Sequence, residues 1–136
     1  MRVLGAVALA GIAATFWFSP IPQDPAYHEF ADQRTFFGIP NFWNVFSNLP
    51  FVLIGAFGLH SVSRLPPSSP RSAYLVFCLG VVLVGFGSAC YHYSPSTPTL
   101  VWDRLPMTLI FMSVFGITIA ERINMRTGRM LLLPLL

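Results

Sequence analysis

Four long apolar runs, Val3 to Phe18, Phe42 to Leu59, Ala73 to Tyr93 and Leu100 to Ala120, restrict this chain to very few folds. Each approaches the ~20 residues with which an α-helix crosses about 30 Å of hydrocarbon, and the first is the shortest. Of the 136 residues, 54% are hydrophobic and only 10% are charged, a balance outside that of ordinary soluble domains. The mean hydropathy of +0.65 agrees. The expected fold class is all-α, a multi-pass transmembrane bundle in which each helix satisfies its own backbone in lipid. A fifth apolar run, Met130 to Leu136, follows an arginine-rich turn and is too short to span. The expectation is therefore a single integral-membrane domain over residues 1–136, incomplete at its C-terminus, with four full spans and the start of a fifth.

The net charge of +3 comes from eight Arg and no Lys, and their placement carries the information. Arg2, then Arg64 and Arg71, then Arg122, Arg126 and Arg129 fall on alternate connections. The intervening connections hold only Arg34, with Arg104 just inside a span. Positive charge concentrates on cytoplasmic loops, so the N-terminus is expected in the cytoplasm and His92 on the outer side. No basic patch interleaved with aromatics is present, which leaves the bilayer as the expected partner and excludes nucleic acid. Cys78 and Cys90 lie twelve residues apart on one expected helix, roughly 18 Å, and cannot pair.

Residues 1–20 also fit a secretory signal peptide, but the aromatic end at Phe16, Trp17 and Phe18 favours a retained helix anchored at the interface. The polar loop that follows, through Ile39, carries Asp24, Glu29 and Asp32. Pro40 suits the first turn of the next helix, and Pro50 is expected to kink it. Between them Asn41, Asn44, Ser47 and Asn48 form a polar stripe that must face other helices or a wet cavity. Gly85 and Ala89 form a small-xxx-small pair suited to close helix approach. Thr97 and Pro98 read as N-cap and first turn, and Pro106 should bend its helix by freeing the Trp102 carbonyl. Glu121 to Arg129 reads as a basic turn, and His28 and His60 as lone, peripheral interface residues.

Chemistry concentrates in residues 85–107, GFGSACYHYSPSTPTLVWDRLPM. Ser88 and His92 are four apart and share a helix face. A short turn makes the next helix an antiparallel neighbour, so Asp103 near its start comes to the same depth. A hydroxyl, an imidazole and a carboxylate at that depth suit a serine-hydrolase triad, a metal site or a structural polar network. The triad lacks a strained elbow to expose the serine. For a metal, a neutral imidazole is a good zinc ligand and a carboxylate a good partner or base. The structural alternative for Asp103 is an ion pair with Arg104 or a neighbouring Arg at the interface, although adjacent helical residues point about 100° apart.

PNFWNVFSNLPF, residues 40–51, and the 85–107 stretch resemble the two N-terminal signatures of the alkaline ceramidase family. These are integral-membrane hydrolases in the superfamily that includes adiponectin receptors. The shared order is an FWNxxSN helix, then GxGSxxxH closing a helix, then DxLPM opening the next, over most of residues 40–115. The resemblance implies a ceramidase-like seven-helix core beginning at residue 40, with residues 1–20 an added N-terminal span. It implies a Zn²⁺ ligand at His92, a serine beside the attacking water at Ser88 and the aspartate acting on that water at Asp103. Two further zinc histidines, an HxxxH pair, are then expected beyond Leu136. Eukaryotic members also bind Ca²⁺ through acidic residues ahead of the FWN helix. Here Asn41 stands at the last of those positions and the DWxE-type run is missing, which leaves Glu29 and Asp32 to supply such a site. The implied activity is hydrolysis of the amide bond of ceramide-like N-acyl lipids. The competing readings are a hydrolase of another N-acyl or ester lipid and a non-catalytic, receptor-like or scaffold membrane protein.

Overall fold

In the computed structural model, residues 2–17 and 23–135 are described. The expected end of the first run at Phe18, the loop's start at 19–22 and Leu136 lie outside the described residues. The helices are α1 (Arg2–Trp17), α2 (Phe42–Phe46), α3 (Leu49–Val62), α4 (Arg71–Tyr93), α5 (Thr97–Arg122) and α6 (Met125–Leu135), with a short 3₁₀ turn at Pro25–His28. No strand occurs among the described residues. Three helical stretches are long and apolar enough to cross a bilayer: Phe42–Val62, made of α2 and α3, then α4 and α5. The described α1 has 16 residues, short of the ~20 needed, so it is not among these three stretches.

α4 is the middle of the bundle, with α3 on one flank, α5 on the other and α6 beyond α5. Glycines set these approaches. A Cβ on Gly55 would press on Val82 and the Cys78 carbonyl, and one on Gly85 would meet Val52 and the Asn48 carbonyl. Both glycines therefore bring α3 and α4 close together. Cys78 and Cys90 are free thiols. A Cβ on Gly128 would overlap Ala120, which folds α6 back onto the end of α5.

Four helix boundaries differ from the sequence expectation, each for a local reason. Pro40 stands outside its helix: α2 begins at Phe42 after a tight turn in which Phe37, Gly38 and Asn41 all have positive φ. Pro50 produces a break rather than a kink, with α2 ending at Phe46 and Pro50 in the first turn of α3. Ser96, not Thr97, caps α5, its hydroxyl accepting the Thr99 N–H. The basic turn shrinks to residues 123–124, because Asn124 Oδ1 accepts the Thr127 N–H and starts α6 inside the arginine-rich segment.

The break explains the polar stripe. At its bend the Asn48 N–H bonds Val45 rather than Asn44. The Asn44 carbonyl so released accepts Ser47 Oγ at 2.9 Å and Asn48 Nδ2 at 2.7 Å. Asn44 Nδ2 in turn donates to the Asp32 carbonyl, 3.1 Å. Most of the stripe thus serves its own helix and the preceding loop, where the sequence suggested bonds between spans.

Candidate active site

The hairpin of α4 and α5 turns within residues 94–96, so the end of α4 and the start of α5 are side by side. Pro106 has no N–H, which leaves the Trp102 carbonyl without its helical donor, yet α5 stays continuous through the proline. That carbonyl faces Gly87: a Cβ there would fall on its oxygen and lie 3.5 Å from the Asp103 nitrogen. The two helices therefore come close together at Gly87 and Trp102–Asp103. Ser88 follows Gly87 and is buried, 7% exposed, while Asp103 is half-buried. His92 lies one turn beyond Ser88 on the same face of α4.

His92 is half-buried, and its Nδ1 is fully enclosed with no hydrogen-bond partner among the described residues. Buried polar atoms are nearly always paired, so such an orphan calls for an explanation. The Asp103 carboxylate is within Coulombic reach of His92 and of Tyr91. The ion-pair alternative for Asp103 is not realised, since the guanidinium of Arg104 sits over the Tyr27 ring, 5.3 Å from its centre. Among the described residues the ion pair that forms is Arg34 with Asp32. The hairpin thus brings a buried hydroxyl, an unpartnered imidazole nitrogen and an unpaired carboxylate to one end of the bundle.

The 23–41 loop covers that end, which the sequence did not reveal. His28, expected to be peripheral, instead bridges the hairpin, with Nδ1 2.9 Å from the Tyr91 hydroxyl and Nε2 3.2 Å from Thr97 Oγ1. Phe30 meets the Tyr91 ring edge-on at 5.7 Å and the His92 ring at 4.6 Å. No local signal marks these residues, because their partners are 60 or more positions away.

Asp32 joins its own loop to the start of α2. One carboxylate oxygen of Asp32 accepts Arg34 Nε, and the other accepts the Trp43 N–H at 3.2 Å, an N–H of the first turn of α2. The bond from Arg34 holds the Asp32 carboxyl below its usual range. Asn41 donates to the His92 carbonyl at 2.9 Å, and Glu29 closes the 3₁₀ turn with its N–H on Ala26.

Residues 35–136 match the family model described as Ceramidase. The chain belongs to the ceramidase family. The ceramidase match takes in the polar stripe and the Ser88, His92 and Asp103 cluster, and begins after His28, Phe30 and Asp32. No curated protein and no solved structure matches the chain. At family level this makes it a ceramide-hydrolysing membrane protein with an amide bond as its target.

His92 suits a metal ligand, because an enclosed ring nitrogen without a partner can turn its lone pair to a cation. Among the described residues no three His, Cys, Asp or Glu side chains gather to hold a metal, so His92 is one nitrogen of any larger set.

Proposed function

We propose that this chain carries part of the active site of a zinc-dependent integral-membrane amidase. Its reaction is cleavage of the amide bond of ceramide-like N-acyl lipids to a fatty acid and a sphingoid-type base. The observation that carries this reading is the orphaned Nδ1 of His92 at the end of the bundle that also presents Ser88 and Asp103. Family membership supplies the substrate class.

Zinc bound there supplies a Lewis acid and a water acidic near neutrality, pKa roughly 7. Asp103, unpaired and half-buried, takes the proton from the attacking water and passes it to the leaving amine. Ser88, buried one turn from His92, donates a hydrogen bond to the oxyanion that develops on the amide carbonyl or holds the attacking water. A catalytic zinc takes about three protein ligands, of which His92 would be one. In this reading the lipid amide reaches the site from the bilayer, with the α4–α5 turn placed at the headgroup boundary. The Arg pattern supports placing that turn on the outer side, since Arg71 opens α4 and Arg122 closes α5 at the end away from His92.

The test is product analysis on the complete gene product in detergent or vesicles, with a panel of ceramides, other N-acyl lipids and lipid esters. Release of fatty acid and sphingoid base from ceramide, abolished by His92→Ala, is the expected outcome. Cleavage of esters alone would assign a different substrate. A purified protein that binds no zinc and cleaves none of the panel would be a non-catalytic membrane protein.

A further inference from the structure

A histidine ligand must hold its ring at a fixed angle, and the usual device is a hydrogen bond from the second ring nitrogen to a carboxylate or carbonyl. His92 has no such device among the described residues, since its side chain makes no hydrogen bond there. Two aromatic rings lie against the imidazole. Phe30 meets it at 4.6 Å with the planes inclined by 60°, and Tyr91 lies at 5.3 Å, tilted by 48°. Tyr91 is itself 2% exposed and tied by its hydroxyl to His28.

We propose that Phe30 is a positioning residue for His92, doing by edge-to-face packing what a hydrogen bond does for other histidine ligands. This rests on the zinc reading of the site. The loop that carries Phe30 is fastened on both sides of it. Two residues before, His28 bonds Tyr91 on α4 and Thr97 on α5. Eleven residues after, Asn41 bonds the His92 carbonyl. Phe30 also packs edge-on against Tyr91, so it lies against both rings that border the site. An edge-to-face pair adds to the stability of its buried area, enough to favour one ring rotamer by several-fold. Without Phe30, the imidazole can rotate and its Nδ1 is open to water.

The experiment uses the complete protein with Phe30→Ala, Phe30→Leu and Phe30→Tyr, and Phe37→Ala as a control, since Phe37 is 94% exposed on the same loop. The first readout needs no metal: the rate at which diethyl pyrocarbonate modifies His92 in metal-stripped protein, followed by mass spectrometry. Phe30→Ala should raise that rate several-fold, Phe30→Tyr and Phe37→Ala should not, and Phe30→Leu should fall between. The second is zinc affinity by competition with a chelating dye, where Phe30→Ala should weaken binding about tenfold or more, with kcat lowered more than KM. If Phe30→Ala does not fold, Phe30→Leu, which keeps most of the volume without the ring, carries the same comparison. Unchanged His92 reactivity and unchanged zinc affinity in a folded Phe30 variant would overturn the proposal and leave the zinc reading standing. A parent protein that binds no zinc would overturn both, whatever the reactivity of His92.

Discussion

The side-chain amide of Asn41 donates to the main-chain carbonyl of His92 at 2.9 Å, joining residues 51 positions apart. Asn41 has a left-handed backbone, φ 49°, and does not cap its own helix. Its donor is turned instead to one of the last carbonyls of α4, which have no partner within that helix. The start of the FWN helix and the residue proposed to hold zinc are thereby locked together. The acceptor is a carbonyl, so the amide must present its N–H₂.

Asn41→Ala should therefore cost about 0.5–1.5 kcal/mol, the net value of one hydrogen bond. Asn41→Asp should cost more, since a carboxylate cannot donate and repels the His92 carbonyl. Chemical or thermal unfolding in detergent checks the order. Rescue of Asn41→Asp by calcium would place a cation among Asn41, Asp32 and Glu29; no rescue is expected while the Asp32 oxygens stay with Arg34 and Trp43.

Gly87→Ala should loosen the hairpin and cost about 1–3 kcal/mol, because the new methyl falls on the Trp102 carbonyl, which is backbone and cannot swing aside. Gly11→Ala, with no atom within 4 Å of the new methyl, should be neutral or stabilising by roughly 0.5–1 kcal/mol. Equal unfolding midpoints for these two variants would contradict the approach described for α4 and α5.

The apolar helices and the α4–α5 hairpin that sets the start of α5 beside the end of α4 were legible because they follow from apolar run length, residue spacing and one short turn. Pro50 was readable as a disturbance but not as a break, since that outcome depends on Ser47 and Asn48 satisfying the released Asn44 carbonyl. The start of α6 was hidden because a cap at Asn124 overrode a segment that looks like a basic turn. His28 and Phe30 could not be found at all: single residues in a polar loop carry no periodicity, and only the folded chain sets them against Tyr91 and His92.

The Asp32 carboxyl titrates lower in the fold than in an unfolded chain, held down by Arg34. Its contribution is thus present above the unfolded value of about 3.9 and is lost as pH falls through the lower folded value. Pepsin cleavage at the Phe36–Phe37 turn, compared between the parent and Asp32→Asn, should be slower in the parent above about pH 4. The two should converge in stronger acid. Identical profiles across the range would mean that Asp32 does not hold the loop.

With Cys78 and Cys90 replaced by Ser, Ser68→Cys, in the connection between α3 and α4, should be labelled by an impermeant thiol reagent only after cells are opened. Labelling in intact cells would invert the orientation drawn from the Arg pattern and move the His92 end to the cytoplasm.

The most direct test of the site is zinc content measured together with ceramide turnover in the Asp103→Asn variant of the complete protein. Removing the base without removing a ligand should leave the metal at the parent's stoichiometry while turnover falls by roughly 10²–10⁴-fold. Turnover equal to the parent's would show that Asp103 is structural and contradict the account.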